Sequence, residues 1–364
     1  MHWKEDFKNN ITTVKELQNY IKLSDNEQKR LSNLIENYPM SITKYYLSLI
    51  NPQDSNDPIK KMCIPSVSEF DLEGLSDTSG ESENTKFQGL QHKYKPTVLL
   101  LSTSTCAMYC RHCFRKRLVG LNTEETLKML KDVINYIKQH KEINNILISG
   151  GDSFLLSTSI IETFLNELCQ IEHIDFIRFG TRTPVVFPQR IYTDEHLLSV
   201  LDRYNNKKRI YVVTQFNHIN EVTNESMKSI QELQKRNIIV SNQMVLLKGV
   251  NDNSKSIVEL INSLTRNGII PYYTFQCRPV KGVATSFQVP LRKGHQIIER
   301  AKEELNGHGK RFRYIMSHIT GKIEILGSLN KDEMLFKYHQ SKDPEKQGEL
   351  FSYPISEDDC WLFN

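Results

Sequence analysis

The sequence predicts an α/β fold: a parallel sheet of six strand–helix units, preceded by a helical N-terminal region. Two observations predict it. From residue 97 onward, short β-branched or aromatic runs alternate with longer amphipathic stretches. Alternation repeated this often is the pattern of right-handed parallel βαβ units. The densest polar clusters come directly after the strand-like runs, where parallel α/β folds place their sites.

Residues 1–70 read as helical. "TVKELQNYIKL" and "DNEQKRLSNLIENY" space their apolar residues as helices do, and Ser24–Asp25 caps the second. "INPQDSNDPIKK" is rich in turn residues. Residues 71–92 form an acidic linker or exposed loop, because "DLEGLSDTSGESENTKFQG" is charged and poor in apolar residues. The segment 93–290 holds the six strands: "TVLLLST" (97–103), "NILIS" (145–149), "FIRFG" (176–180), "RIYVVT" (209–214), "IIVSNQMV" (238–245) and "PYYTFQ" (271–276). Helical stretches lie between them near 123–140, 158–170, 194–204, 224–236 and 253–267. Six units are fewer than the eight that close a barrel. Residues 291–364 form a separate C-terminal region.

Composition narrows the function classes. No apolar run reaches the ~18 residues of a membrane span, and the charged N-terminus lacks the apolar core of a signal peptide. A net charge of +4 spread over 364 residues is too weak to argue for nucleic acid. Seven cysteines without an export signal suggest a reducing, cytoplasmic setting and thiol chemistry. Cys63, Cys169, Cys277 and Cys360 are isolated, and each reads as a buried small hydrophobe.

"TSTCAMYCRHCF" is different. Cys106, Cys110 and Cys113 follow the first strand with C-x3-C-x2-C spacing, one ligand short of an ordinary zinc or electron-transfer site. A zinc knuckle completed by His112 or His92 is one reading, and three unrelated core cysteines is another. A third is a [4Fe–4S] cluster held at three irons, with the fourth open to a substrate. "SGGD" follows the second strand, placing Gly150, Gly151 and Asp152 beside the cysteine loop. Alone it is equally a turn; its position gives it weight.

The cysteine spacing, with His112 before the last cysteine, resembles the radical S-adenosylmethionine (SAM) superfamily. The resemblance implies that the open iron chelates SAM, that His112 lies against the adenine, and that Gly150, Gly151 and Asp152 form the SAM-binding segment. Longer segments narrow it. "CRHCFRKRLVG", "LISGGDSFLLS", "GTRTPVVFPQRI", "TQFNHINEVT", "NQMVLLKGVND" and "PYYTFQC" are similar to the lysine 2,3-aminomutase family, as are "PMSITKYYLSLINPQDSNDPIKK" and "GLQHKY" upstream. The likeness runs from about residue 3 to beyond 340. It implies a partial (β/α)6 TIM-like barrel with an N-terminal helical extension. It also implies that pyridoxal phosphate (PLP) carries the substrate nitrogen from C2 to C3 of an amino acid. By this resemblance Lys322 in "SHITGKIEI" is the catalytic Schiff-base lysine, residues 291–364 are the PLP and substrate side, and Lys93 and Tyr94 bind the PLP phosphate. A Schiff-base lysine must reach its neutral form, so Lys322 should be partly buried or near cations, and "KRFR" (310–313) could supply that field.

The departures concern phosphate, zinc and substrate. Thr97 stands where the family pattern has its second basic residue. The C-terminal cysteines that hold zinc in some relatives are missing, so no zinc is expected. The two aspartates that hold the distal ammonium of lysine match Arg278 and Ser317 here, a replacement of the glutamate 2,3-aminomutase kind. An arginine suits a carboxylate and repels an ammonium. Arg115 matches the arginine that binds the substrate α-carboxylate. The sequence therefore predicts an isomerase acting on glutamate or another non-lysine amino acid, lysine remaining possible. A flavodoxin or ferredoxin would serve as electron donor, and homo-oligomers are common in the family. Two rivals remain: a related radical SAM enzyme without PLP, and a non-catalytic iron–sulfur protein. A mere metal binder would need neither the Gly150–Asp152 segment nor Arg115.

Overall fold

The computed structural model describes residues 2–121 and 123–362. Among these residues twelve strands lie side by side in chain order. They are β1 (Thr85–Phe87), β2 (Leu90–Tyr94), β3 (Thr97–Leu101), β4 (Asn145–Ser149), β5 (Phe176–Gly180), β6 (Arg209–Thr214), β7 (Ile239–Leu246), β8 (Ile270–Gln276), β9 (Arg313–His318), β10 (Gly321–Ser328), β11 (Glu333–Ser341) and β12 (Leu350–Pro354). The six predicted strands are β3 to β8, all parallel. The fold is the expected α/β partial barrel. Two additions were not read from the sequence. The helix Leu291–Glu304 carries the chain back so that β9 becomes a seventh parallel strand. Antiparallel strands β10 to β12 then extend one edge, while β1 and β2 extend the other.

Alternation along the strands separates two faces. Ile146, Ile148, Ile177, Phe179, Ile210 and Val212 are wholly buried. They meet the apolar stripes of the surrounding helices, such as Ile161, Leu165 and Leu168 of Thr158–Cys169. On the opposite face Leu147, Arg178 and Tyr211 stand in register and only partly buried, lining the barrel interior. An arginine in the middle of that layer marks the interior as polar rather than as packed core.

Ser24 caps the helix Asp25–Asn37 through a reciprocal box with Glu27. The first predicted helix is only Val14–Leu17. The N-terminal elements share one core with the barrel. Trp3 donates to Asp194 at 3.1 Å, and the Thr43 hydroxyl donates to the Val186 carbonyl at 2.6 Å.

Two expectations need correction. Residues 71–92 are not a linker throughout: the stretch is exposed as far as residue 76, then turns inward, and Thr78, Ser79, Glu81 and Asn84 are buried. Glu81 goes in because two arginines await it. The helix expected from 123 begins only at Leu130. The residues before it are held against the sheet, where the Leu127 amide donates to the Leu101 carbonyl at 2.7 Å, so they cannot coil.

Candidate active site

The cysteine loop leaves the C-terminal end of β3 and is tied down by its backbone. The Tyr109 amide donates to the Ser41 carbonyl and the Arg111 amide to that of Met62, both at 2.9 Å, while Asn10 donates to the Ala107 carbonyl at 2.7 Å. The N-terminal region thus shapes this loop. The three thiols lie near enough to act on one another's charge. Burial, then Asp152, Cys113 and Cys110, push the Cys106 thiol well up, and burial with Cys110 pushes Cys113 to about 11. Arg182 donates from a guanidinium nitrogen to Cys110 Sγ at 2.7 Å. Among the described residues no three His, Cys, Asp or Glu side chains are grouped to hold a single metal ion. Three neighbouring thiols on one loop instead suit a cluster that takes one sulfur at each of three corners. Neither candidate fourth ligand joins them. His92 bonds Tyr136 and the Lys95 carbonyl. His112 faces Gln215 and Asn217 at 3.1 and 3.3 Å, with Phe287 edge-on. Burial holds the His112 imidazole neutral, and its Nδ1 is buried without a partner among the described residues.

Gly150 and Gly151 bring the loop after β4 against the cysteine loop. Gly150 has φ +127°, and a Cβ on either residue would run into the Thr103 or Thr105 carbonyl. The Gly151 and Asp152 amides donate to those carbonyls at 2.5 and 2.8 Å. The glycines therefore serve the chain's own close approach as well as any ligand. The Asp152 carboxylate accepts from the Thr181 hydroxyl at 2.5 Å and from the Phe154 and Arg182 amides at 3.0 and 2.8 Å. It fastens the loops after β4 and β5 together.

Arg115 is buried against Glu81, with Nε donating at 2.9 Å. Arg117 also bonds Glu81, at 2.7 Å. Burial alone would raise the Glu81 carboxyl, but the two arginines outweigh it and hold it at about 2. The remaining Arg115 nitrogen makes only long bonds, 3.3 Å each to Ser149 and the Gly150 carbonyl. Arg278 stacks over Phe114 at 4.1 Å and donates to the hydroxyls of Ser79 and Ser317 at 2.5 and 2.9 Å. Among the described residues it has no ion pair, and burial with the nearby Arg115 draws it down to about 10 despite Glu81. The two matched positions therefore meet, around a cation that has no ion-pair partner among the described residues.

Lys322 on β10 is the register partner of Ser317. Its ammonium lies over the rings of Tyr94 and Tyr273, at 5.6 and 5.1 Å. Burial lowers it to about 7, helped by Arg178, Lys93 and Arg278. The positive field thus comes from the barrel interior and β2. It does not come from "KRFR", whose Arg313 pairs with Glu324 at 2.8 Å. Lys93 is itself brought to about 7 by burial, Arg278 and Lys342. It donates to the Ser79 and His318 carbonyls at 3.1 and 2.7 Å, so part of its donor capacity is already used. Thr97 bonds Asn145, which in turn accepts from Arg178 at 2.5 Å. Sequence reading missed Glu81, Ser79, Arg178 and Arg182. The last two lie on β5 or just after it, where a polar residue at a strand's C-terminal end was the available signal.

Residues 100–261 match the model of the radical SAM superfamily. A relative from Aquifex aeolicus is 37% identical over 342 residues, which is 93% of this chain and 91% of that one. The L-lysine 2,3-aminomutase of Clostridium subterminale is 38% identical over 309 residues, 84% of this chain and 73% of the relative. The glutamate 2,3-aminomutase of Clostridioides difficile is 35% identical over 309 residues, 84% and 72% of the two chains.

Proposed function

The chain belongs to the lysine 2,3-aminomutase family of radical SAM enzymes, and from that premise we propose a PLP-dependent 2,3-aminomutase that moves the α-amino group of glutamate, or of another non-lysine amino acid, to C3. The observation that carries the substrate reading is Arg278: a half-buried guanidinium with hydroxyl partners and no carboxylate bonded to it among the described residues, beside Ser317 and thereby beside Lys322. A carboxylate at the far end of the substrate would complete its charge balance, where an ammonium would be repelled.

The cluster and SAM supply a carbon radical able to take an unactivated hydrogen, and PLP supplies the carbonyl that carries the migrating nitrogen. The chain's own residues do the rest. Cys106, Cys110 and Cys113 hold the cluster; His112, Gly150, Gly151 and Asp152 shape the SAM side. Lys322, lowered to about 7 by burial and its cationic neighbours, has a substantial free-amine fraction near pH 7 with which to join PLP. Lys93 and Tyr94 lie on the phosphate side. Arg115, fixed by Glu81, turns its weakly bonded nitrogen toward an α-carboxylate. In this reading the enzyme works in the cytoplasm, reduced by a flavodoxin or ferredoxin. No helix among the described residues is long and apolar enough to cross a membrane.

The test is anaerobic. Reconstituted, reduced protein is incubated with SAM, PLP and a panel of amino acids, then analysed for β-amino acids. A borohydride-reduced sample is mapped for a PLP adduct. Glutamate conversion with the adduct on Lys322 supports the reading. Turnover without any adduct hands it to the PLP-free relative, a rival favoured by the neutral Thr97 and by the carbonyls already bonded to Lys93.

A further inference from the structure

Arg182 reaches the cysteine loop from the other side of the site. It follows β5 by two residues, inside "GTRTPVVFPQRI". Every part of it is fixed. Its amide donates to Asp152 at 2.8 Å and its Nε to the Gln215 carbonyl at 3.1 Å. One terminal nitrogen bonds the Tyr46 hydroxyl at 3.2 Å and pairs with Glu221. The other donates to Cys110 Sγ at 2.7 Å. Arg182 is 9% exposed and Glu221 not at all. Glu221 is held in turn by the Tyr46 hydroxyl at 2.7 Å and by the amides of Asn217 and His218 at 2.5 and 3.0 Å.

We infer that Arg182 is a positioning residue that sets the redox poise of the cluster, by donating a fixed N–H to the sulfur of Cys110. A buried ion pair contributes little net stability for its desolvation cost, so stability alone is a weak reason to keep one here. Glu221 cancels most of the guanidinium's charge at a distance. What remains is a directed donor at one cysteine sulfur. Hydrogen bonds to cluster sulfurs favour the state with more negative charge on sulfur, which is the reduced cluster, and so make the cluster easier to reduce. Because Tyr46 belongs to the N-terminal helix Lys44–Leu47 and completes the Glu221 cradle, that region contributes to the same setting. The inference needs the iron–sulfur cluster but not PLP, so it stands or falls separately from the substrate reading.

The test is an EPR-monitored redox titration of anaerobically reconstituted enzyme without SAM, with iron content measured in parallel. Arg182→Gln, loaded with wild-type iron, should show a more negative midpoint potential, and Arg182→Lys should recover part of the shift. Glu221→Gln leaves the guanidinium uncompensated and should move the potential the opposite way. An Arg182→Gln cluster with full iron and an unchanged potential overturns the inference, because a mere brace would lower the melting temperature without moving the potential. Should Arg182→Gln fail to take up iron, Glu221→Gln decides: a less negative potential supports the inference, and an unchanged or more negative one overturns it.

Discussion

Arg278 donates to the Ser317 hydroxyl at 2.9 Å, and no acid pairs with it among the described residues. Two acids act on it electrostatically, and both are already engaged: Glu81 with Arg115 and Arg117, and Asp77 with the Ser79 and Ser82 amides. A substrate carboxylate would meet a cation with unspent charge. Arg278→Asp should therefore depress turnover of glutamate far more than that of a neutral amino acid such as alanine. One charge-assisted bond contributes about 1.5–3 kcal/mol, or roughly ten- to hundredfold in kcat/KM. The measurement is the ratio of kcat/KM for the two substrates in each protein; a wild-type preference for lysine would sink the carboxylate reading.

Lys322 sets a pH dependence whose sign follows from its surroundings. Its ordinary value of 10.5 is lowered to about 7 by burial and by Arg178, Lys93 and Arg278. Covalent capture of PLP needs the free amine, so it should rise as pH passes through about 7 and then level off. Lys93→Met removes one of the cations, and the midpoint should move to higher pH. Rapid mixing with PLP, followed by absorbance at several pH values, reads the midpoint directly. In the PLP-free protein the folded state sheds a proton that the unfolded chain keeps between about 7 and 10.5. This lysine's contribution to stability therefore rises with pH across that window, and Lys322→Met should flatten the rise.

What could be read in advance divides along a physical line. Strands β3 to β8 announce themselves because both of their faces are covered or line a barrel, giving continuous β-branched runs. The "YIMS" run of β9 is just as buried, but it is short and framed by "KRFR" and His318, and the flanking charges conceal it. The cysteines and Gly150–Gly151 are legible because their chemistry is local: spacing in one case, absence of a side chain in the other. Glu81 and Arg182 are not, because their roles lie wholly in partners far along the chain. Glu81 sits in an acidic stretch where every neighbour suggests solvent, and only the position of Arg115 and Arg117 reveals that it is buried. Lys322 is intermediate. Its place came from resemblance, and the cations that tune it come from β2, β5 and the end of β8, which no local pattern could have shown.

The cluster makes a sharp division among the seven cysteines. Cys106→Ala, Cys110→Ala or Cys113→Ala should each lose iron after anaerobic reconstitution and abolish SAM cleavage. Cys63, Cys169, Cys277 and Cys360 lie outside the C-x3-C-x2-C motif, although Cys63 is near enough to Cys110 to feel its charge, so their serine variants should keep near wild-type iron. Wild-type protein should hold about four irons per chain. Iron analysis and detection of 5′-deoxyadenosine are the two readouts, and SAM cleavage retained in any two of the three alanine variants would refute the assignment.

Glu81 makes the site sensitive to acid. Its carboxylate is buried between Arg115 and Arg117. Burial by itself opposes ionisation, but the arginines win and hold the group at about 2, against an ordinary 4.5. A carboxyl lowered on folding contributes stability that is complete above its unfolded value and is lost as pH falls toward its folded one. Wild-type protein should therefore lose stability between about pH 4.5 and 2 more steeply than Glu81→Gln does. At pH 7 the substitution leaves Arg115 buried without its counter-charge, and breaking such a pair costs about 3–5 kcal/mol. Arg115 would then be free to turn away from the Gly150 carbonyl, so residual folded enzyme should show a raised KM for its amino acid as well as a lower melting temperature. Glu81→Asp keeps the charge but shortens the reach, and should restore the acid sensitivity more fully than it restores KM. Denaturation curves across pH, read beside KM for the three proteins, check the argument: equal acid sensitivity in wild type and Glu81→Gln would show that the Glu81 carboxylate is not the group that titrates.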